Sequence, residues 1–278
     1  MSKGLYLWLW IMLTPAIGQA GVDMSKLQGL GEISYHQLPA NDPQQPPYHI
    51  YVRLPVEAKA DPARRLPTVY LLDGGANFAA LAGYYHYLRL GEEVPPLILV
   101  GISYGTDDWR KGNRRSHDYT LPSAEREHWG GAEAFDQWLQ QRLIPLVEST
   151  YPSDPDRRVL FGQSLGGQFV LHEAMFRPWR FWGHIASNAA LHGNLERFLA
   201  DADRNPDSLP LLFVSGGSED TERFAEPRAR WVARWREHPD PPFRLKVVEL
   251  SGETHFSALT TAFRQGLRWL FPAAAPVP

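Results

Sequence analysis

The strongest constraint on this chain is a series of short, mostly apolar runs: Leu66 to Leu72, Leu97 to Ile102, Val159 to Phe161, Phe181 to Ala186, Leu211 to Val214 and Leu245 to Leu250. Runs of this length without strict alternation suit strands buried on both faces, as in a parallel sheet. Between them, Ala132 to Tyr151, Gly166 to Phe176, Pro227 to Glu237 and Thr260 to Leu270 carry helical spacing. Strands that alternate with helices require right-handed crossovers and a central, mostly parallel sheet with helices on both faces, an α/β fold. From Gly31 to Leu54 the pattern changes to rough alternation, broken by the turn-rich Pro39 to Pro47. That predicts an N-terminal antiparallel hairpin at the sheet edge.

The first twenty residues read differently. Lys3 precedes an apolar stretch from Leu5 to Leu13, and Gly18-x-Ala20 follows, which is the pattern of a secretory signal peptide over 1–20. Thr14, Pro15 and Gln19 break the stretch before the ~20 apolar residues that a bilayer span needs, so no stable membrane insertion is expected after processing. The remaining 21–278 is expected to form one domain. Export usually invites disulfides, yet the chain has no cysteine, so its stability must come from its core. A periplasmic or secreted location fits both facts. The formal net charge of −3 argues against a nucleic-acid partner, which would require a strongly basic face.

The expected strand at Val159 to Phe161 runs into Gly162-Gln163-Ser164-Leu165-Gly166-Gly167, and a helical segment follows. Gly-x-Ser-x-Gly in a strand-turn-helix context puts a serine hydroxyl on a tight turn, which makes Ser164 the candidate nucleophile. Two histidines follow the candidate acids. His238 sits in a Pro-rich turn, whereas His255 follows the strand Leu245 to Leu250 through a short loop and is the candidate base. At the exit of the strand Leu211 to Val214, Asp220 is the preferred acid, with Glu219 as its rival and Glu222 a weaker one. Each could serve instead as a cap or first-turn residue of the next helix. Asp73-Gly74-Gly75-Ala76-Asn77 follows another strand and reads as a glycine turn, from which the Gly75 amide can join that of Leu165 in an oxyanion hole. A phosphate loop is excluded, because neither Gly-x-Gly-x-x-Gly nor a Lys-Ser/Thr ending is present.

The chain resembles the esterase D-like family of α/β hydrolases, which includes ferric-siderophore esterases of the enterobactin and salmochelin type, feruloyl esterases and S-formylglutathione hydrolase. The likeness rests on Tyr70-Leu71-Leu72-Asp73-Gly74, Val100-Gly101-Ile102, Arg115-Ser116-His117-Asp118-Tyr119-Thr120, the Ser164 motif and Gly252-Glu253-Thr254-His255. Together with export, the Arg-x-x-Asp-Tyr-Thr element is most similar to the periplasmic siderophore-esterase branch. The resemblance implies an α/β-hydrolase fold and serine ester hydrolysis through Ser164 and His255. It leaves the acid open between Asp220, Glu219 and a Ser-His dyad.

Four cations beside Trp109, namely Arg110, Lys111, Arg114 and Arg115, can face an anionic aromatic ligand such as a metal-catecholate. This makes Trp109, Arg115 and Tyr119 candidate substrate contacts. Trp231 and Trp235, four apart, read as packing. His172-Glu173 lacks the second histidine of a His-Glu-x-x-His zinc motif, so no metal or other cofactor is expected. A siderophore trilactone, aryl ester, sugar ester or thioester would each suit this chemistry. A binding protein that keeps only the fold is the rival outside catalysis.

Overall fold

The computed structural model describes residues 27–61, 63–205 and 209–272, so the expected signal peptide lies outside the described residues. The strands are β1 (Glu32–Leu38), β2 (Tyr48–Leu54), β3 (Leu66–Leu71), β4 (Ile98–Ser103), β5 (Ser153–Gln163), β6 (Gly183–Ser187), β7 (Leu211–Gly217) and β8 (Arg244–Leu250). The helices are α1 (Glu57–Ala60), α2 (Gly74–Leu90), α3 (Arg115–Asp118), α4 (Ala132–Trp138), α5 (Ile144–Thr150), α6 (Leu165–Phe176), α7 (Leu195–Leu199), α8 (Glu222–Arg236) and α9 (Ala258–Leu270).

The strands form one eight-stranded sheet in the order β1-β2-β4-β3-β5-β6-β7-β8. β2 runs antiparallel to both its neighbours, and from β4 to β8 every pairing is parallel. The expected edge hairpin is therefore present, with β1 outermost. In the interior strands, successive residues serve opposite cores. Val69, Leu71, Phe161, Ile185 and Phe213 pack with α2 and α9. Tyr70, Leu72, Leu160, Ala186, Leu212 and Val214 pack on the other face with α4, α5, α6 and α8. Burial on both faces is why these strands read as continuous apolar runs.

Three local expectations change. Residues 74–77, read as a glycine turn, are the first turn of the long helix α2. The helical segment from Ala132 to Tyr151 is interrupted by a wider π turn at Leu139–Leu143, just before Pro145, which has no amide to give to a regular helix. The helix expected from Pro227 begins earlier, at Glu222, and accommodates Pro227 inside it. Trp231 and Trp235 are both buried and pack on Phe243.

Candidate active site

Parallel strands deliver their C-terminal ends to one edge of the sheet, and the loops that leave β3, β5, β7 and β8 meet there. Ser164 follows β5 directly and has φ 59° and ψ −121°, a conformation that costs a non-glycine residue about 1–3 kcal/mol. The turn is tight enough that a Cβ on Gly162 would run into the backbone of Gly166. The Ser164 carbonyl accepts from the amides of Gln168 and Ala190, so both α6 and the loop after β6 brace the turn. α6 is apolar nearly all round and buried along its length, which fixes its N-terminus behind the serine.

His255 lies beyond β8 and is almost fully buried. Its Nδ1 is 3.1 Å from Asp220 Oδ1 and 3.3 Å from Oδ2. One face of the ring is stacked on Phe224 at 4.1 Å, and Gln163 Nε2 donates to the His255 carbonyl. Asp220 Oδ2 also accepts from Asn188 Nδ2 at 3.0 Å and from Arg228 Nη1 at 2.8 Å. Burial pushes the Asp220 carboxyl up, but the Arg228 hydrogen bond and the proximity of His255 outweigh it, and the net shift is downward. Glu219 sits one residue earlier on the turn, exposed, with its amide donating to the Glu253 carbonyl. Glu222 opens α8 and lines a different cavity. The structure thus brings Asp220, rather than Glu219 or Glu222, to the imidazole.

Ser164 and His255 share a cavity of about 610 Å³ with Gly75, Asn77, Arg115 and Phe256 among its walls. The Gly75 and Leu165 amides, at the starts of α2 and α6, take no hydrogen-bond partner among the described residues. Of the three expected substrate contacts, only Arg115 reaches this lining. Its guanidinium grips Asp73 through Nε to Oδ1 at 2.7 Å and Nη2 to Oδ2 at 2.9 Å. Burial would lower the Arg115 pKa, but Asp73 reverses that and keeps the group protonated. Tyr119 is fully buried, and its hydroxyl accepts from the Asp73 amide at 3.1 Å. Trp109 is 69% exposed and stacks with Arg110 away from the cavity walls. A larger cavity of about 910 Å³, lined by His192, Arg223 and Glu226 among others, contains none of the expected site residues except Glu222.

Sequence reasoning missed Asn188, Arg228, Phe224 and Asp73. Asn188, Arg228 and Phe224 carry no local motif, Asp73 reads only as the start of a glycine turn and part of the family likeness, and the contacts of all four are recognisable only once the strand ends are brought together. Among the described residues no group of three or more His, Asp or Glu could hold a metal ion, and no helix is long and apolar enough to cross a membrane.

Comparison with known proteins agrees with this fold. The model of the family described as "Putative esterase" matches residues 44–240. The ferri-bacillibactin esterase BesA of Bacillus subtilis is 27% identical over 252 residues, covering 82% of this chain and 86% of BesA. The siderophore enterobactin esterase of Emericella nidulans is 29% identical, covering 72% of this chain and 71% of its own. Among solved structures, the siderophore hydrolase EstB of Aspergillus nidulans superposes with a TM-score of 0.75 at 21% identity, covering 88% of this chain and 97% of EstB.

Proposed function

The chain belongs to this esterase family, and from that premise we propose that it is an exported serine esterase that opens the ester bonds of a ferric-siderophore. In this reading His255 takes the proton of the Ser164 hydroxyl as its oxygen attacks the ester carbonyl carbon. The Gly75 and Leu165 amides receive the developing oxyanion. His255 then gives its proton to the departing alkoxide, and water, activated by the same imidazole, releases the acid from the acyl-serine. Asp220 fixes the imidazole tautomer by accepting from Nδ1 and stabilises the imidazolium that forms.

The observation that carries this reading is the shared cavity: Ser164 and His255 line it together, and the hidden side of His255 is paired with a carboxylate held below its usual range. A second support is that both amides assigned to the oxyanion are free of other bonds among the described residues. The substrate class is drawn from the relatives, which are named for siderophore ester hydrolysis. In this reading residues 1–20 are the export signal, 21–278 fold as one domain, and the reaction needs no cofactor.

The test is hydrolysis of a short-chain nitrophenyl ester and of a ferric tricatecholate trilactone by the wild type and by Ser164→Ala. Loss of more than about 10³-fold in kcat with unchanged circular dichroism is expected. Equal rates would overturn the catalytic assignment. A trilactone turned over no better than a feruloyl ester would overturn the substrate class.

A further inference from the structure

β6 lies between the strand that delivers Ser164 and the strand that delivers Asp220, and it ends at Ser187. The next residue, Asn188, is fully buried and has φ 45°, in the left-handed region that glycine enters most readily. Its backbone is held from both sides. The Ser187 carbonyl accepts from the Ser164 amide at 3.0 Å, the Asn188 amide donates to the Ser215 carbonyl at 2.8 Å, and the Ala190 amide donates to the Ser164 carbonyl at 3.0 Å. α6 presses on the same segment: a Cβ on Gly167 would meet the Ser187 carbonyl oxygen at 2.8 Å and the Ala189 Cα at 3.0 Å. An unfavourable backbone persists only where its surroundings fix it this firmly.

Glycine would take this backbone more readily, so what asparagine adds is its side-chain amide. Nδ2 donates to Asp220 Oδ2 at 3.0 Å, and Oδ1 accepts from the Ser187 hydroxyl at 3.2 Å. The two contacts fix which end of the amide faces the carboxylate. Arg228 donates to the same Oδ2, but from α8 and through a long side chain, whereas Asn188 reaches it from the sheet through a short one. With Oδ2 engaged twice, Oδ1 makes the shorter contact with His255 Nδ1, 3.1 Å against 3.3 Å. We propose that Asn188 is a positioning residue that fixes the plane of the Asp220 carboxylate from the strand end beside the nucleophile, so that one backbone segment sets both Ser164 and the acid. The inference rests on the esterase reading given above. An asparagine that only filled space would act on stability, and not through Asp220.

The experiment compares wild type, Asn188→Gly, Asp220→Asn and the double variant on the nitrophenyl ester, beside thermal unfolding. Asn188→Gly keeps the backbone conformation and removes the amide. It is expected to lower kcat about 10–100-fold, the scale of a small misplacement in a catalytic group, with KM little changed. In the Asp220→Asn background the same substitution is expected to cost less than about twofold, because no carboxylate is left to hold; lost packing would cost the same in both backgrounds. If Asn188→Gly does not fold, Asn188→Asp, which keeps the shape and also tolerates positive φ, is expected to lose at least about tenfold in kcat by setting a second carboxylate against Asp220. A loss confined to KM, an unchanged kcat in Asn188→Gly or in Asn188→Asp, or an equal loss in both backgrounds would overturn the proposal and leave the esterase reading standing. A wild type with no Ser164-dependent hydrolysis would overturn both.

Discussion

Two of the histidine–carboxylate contacts among the described residues have the same length and differ in what surrounds them. His255 Nδ1 is 3.1 Å from Asp220, and His172 Nδ1 is 3.1 Å from Glu173. The first pair sits at the strand ends, with His255 on a cavity wall and the carboxylate also held by Arg228 and Asn188. The second is sealed within α6, where Glu173 keeps one oxygen without a partner. Burial raises the Glu173 carboxyl to about 7; the hydrogen bond from His172 only partly offsets this, and Asp136 pushes further upward. On the proposed assignment, distance alone therefore does not make a catalytic pair. What separates them is a cation that keeps the acid ionised and an open side from which the imidazole can reach a reacting group.

The largest effect should come from the histidines. His255→Ala is expected to lower kcat for ester hydrolysis by about 10⁴-fold or more, whereas His172→Gln should leave kcat within about twofold and lower Tm instead. Steady-state kinetics beside thermal unfolding would check this, and a rate loss in His172→Gln would erase the contrast. At the acids, Asp220→Asn is expected to cost about 10³–10⁴-fold in kcat, because the tautomer at His255 is no longer fixed, and Glu219→Gln about twofold or less. Similar small losses in both would point to a Ser-His dyad.

The smallest effect concerns pH and stability. Glu173 has a folded pKa of about 7, above its unfolded value. The folded state therefore holds the proton more tightly, and the stability linked to it is complete below the unfolded pKa and is lost as pH rises through about 7. Glu173→Gln should remove this loss, gaining up to about 3 kcal/mol at pH 8 and little at pH 4. Asp220 has the opposite sign: its lowered pKa supports stability above the unfolded value, and that support fades as pH falls through the folded one. Denaturant melts at several pH values would separate the two.

The sheet and the strand-turn-helix at Ser164 were legible because burial on both faces and glycine-flanked turns leave local marks. Helix α2 was hidden for a physical reason. Its buried residues Phe78, Leu81, Ala82, Tyr85 and Leu88 do recur at helical spacing, but Tyr87 and Leu90 stand exposed on the other side, and its glycines imitate a turn. The surroundings of the site were out of reach because they are built from long-range partners. Arg115 reads as a free cation until β3 brings Asp73 to it, and Arg228 becomes the partner of Asp220 only when α8 folds back over the turn. Tyr119 lies in a motif that suggests ligand contact, yet its ring is buried among Tyr104, Phe135 and Phe169.

The parallel pairing of β7 with β8 runs in register from Leu211 opposite Arg244 to Gly217 opposite Leu250. Asp220 leaves one of these strands after three residues and His255 leaves the other after five. A slip of one residue between them would carry one group ~3.3 Å past the other, farther than a hydrogen bond can stretch, and would turn the side chains of the slipped strand to the opposite face. On the proposed assignment of Asp220 and His255, alignment of this outer strand during folding is thus a condition of activity as well as of stability. A misaligned population would retain most of the sheet and most of its circular dichroism while contributing nothing to turnover. The fraction of serine that reacts with an active-site label would then report the fidelity of folding in this protein.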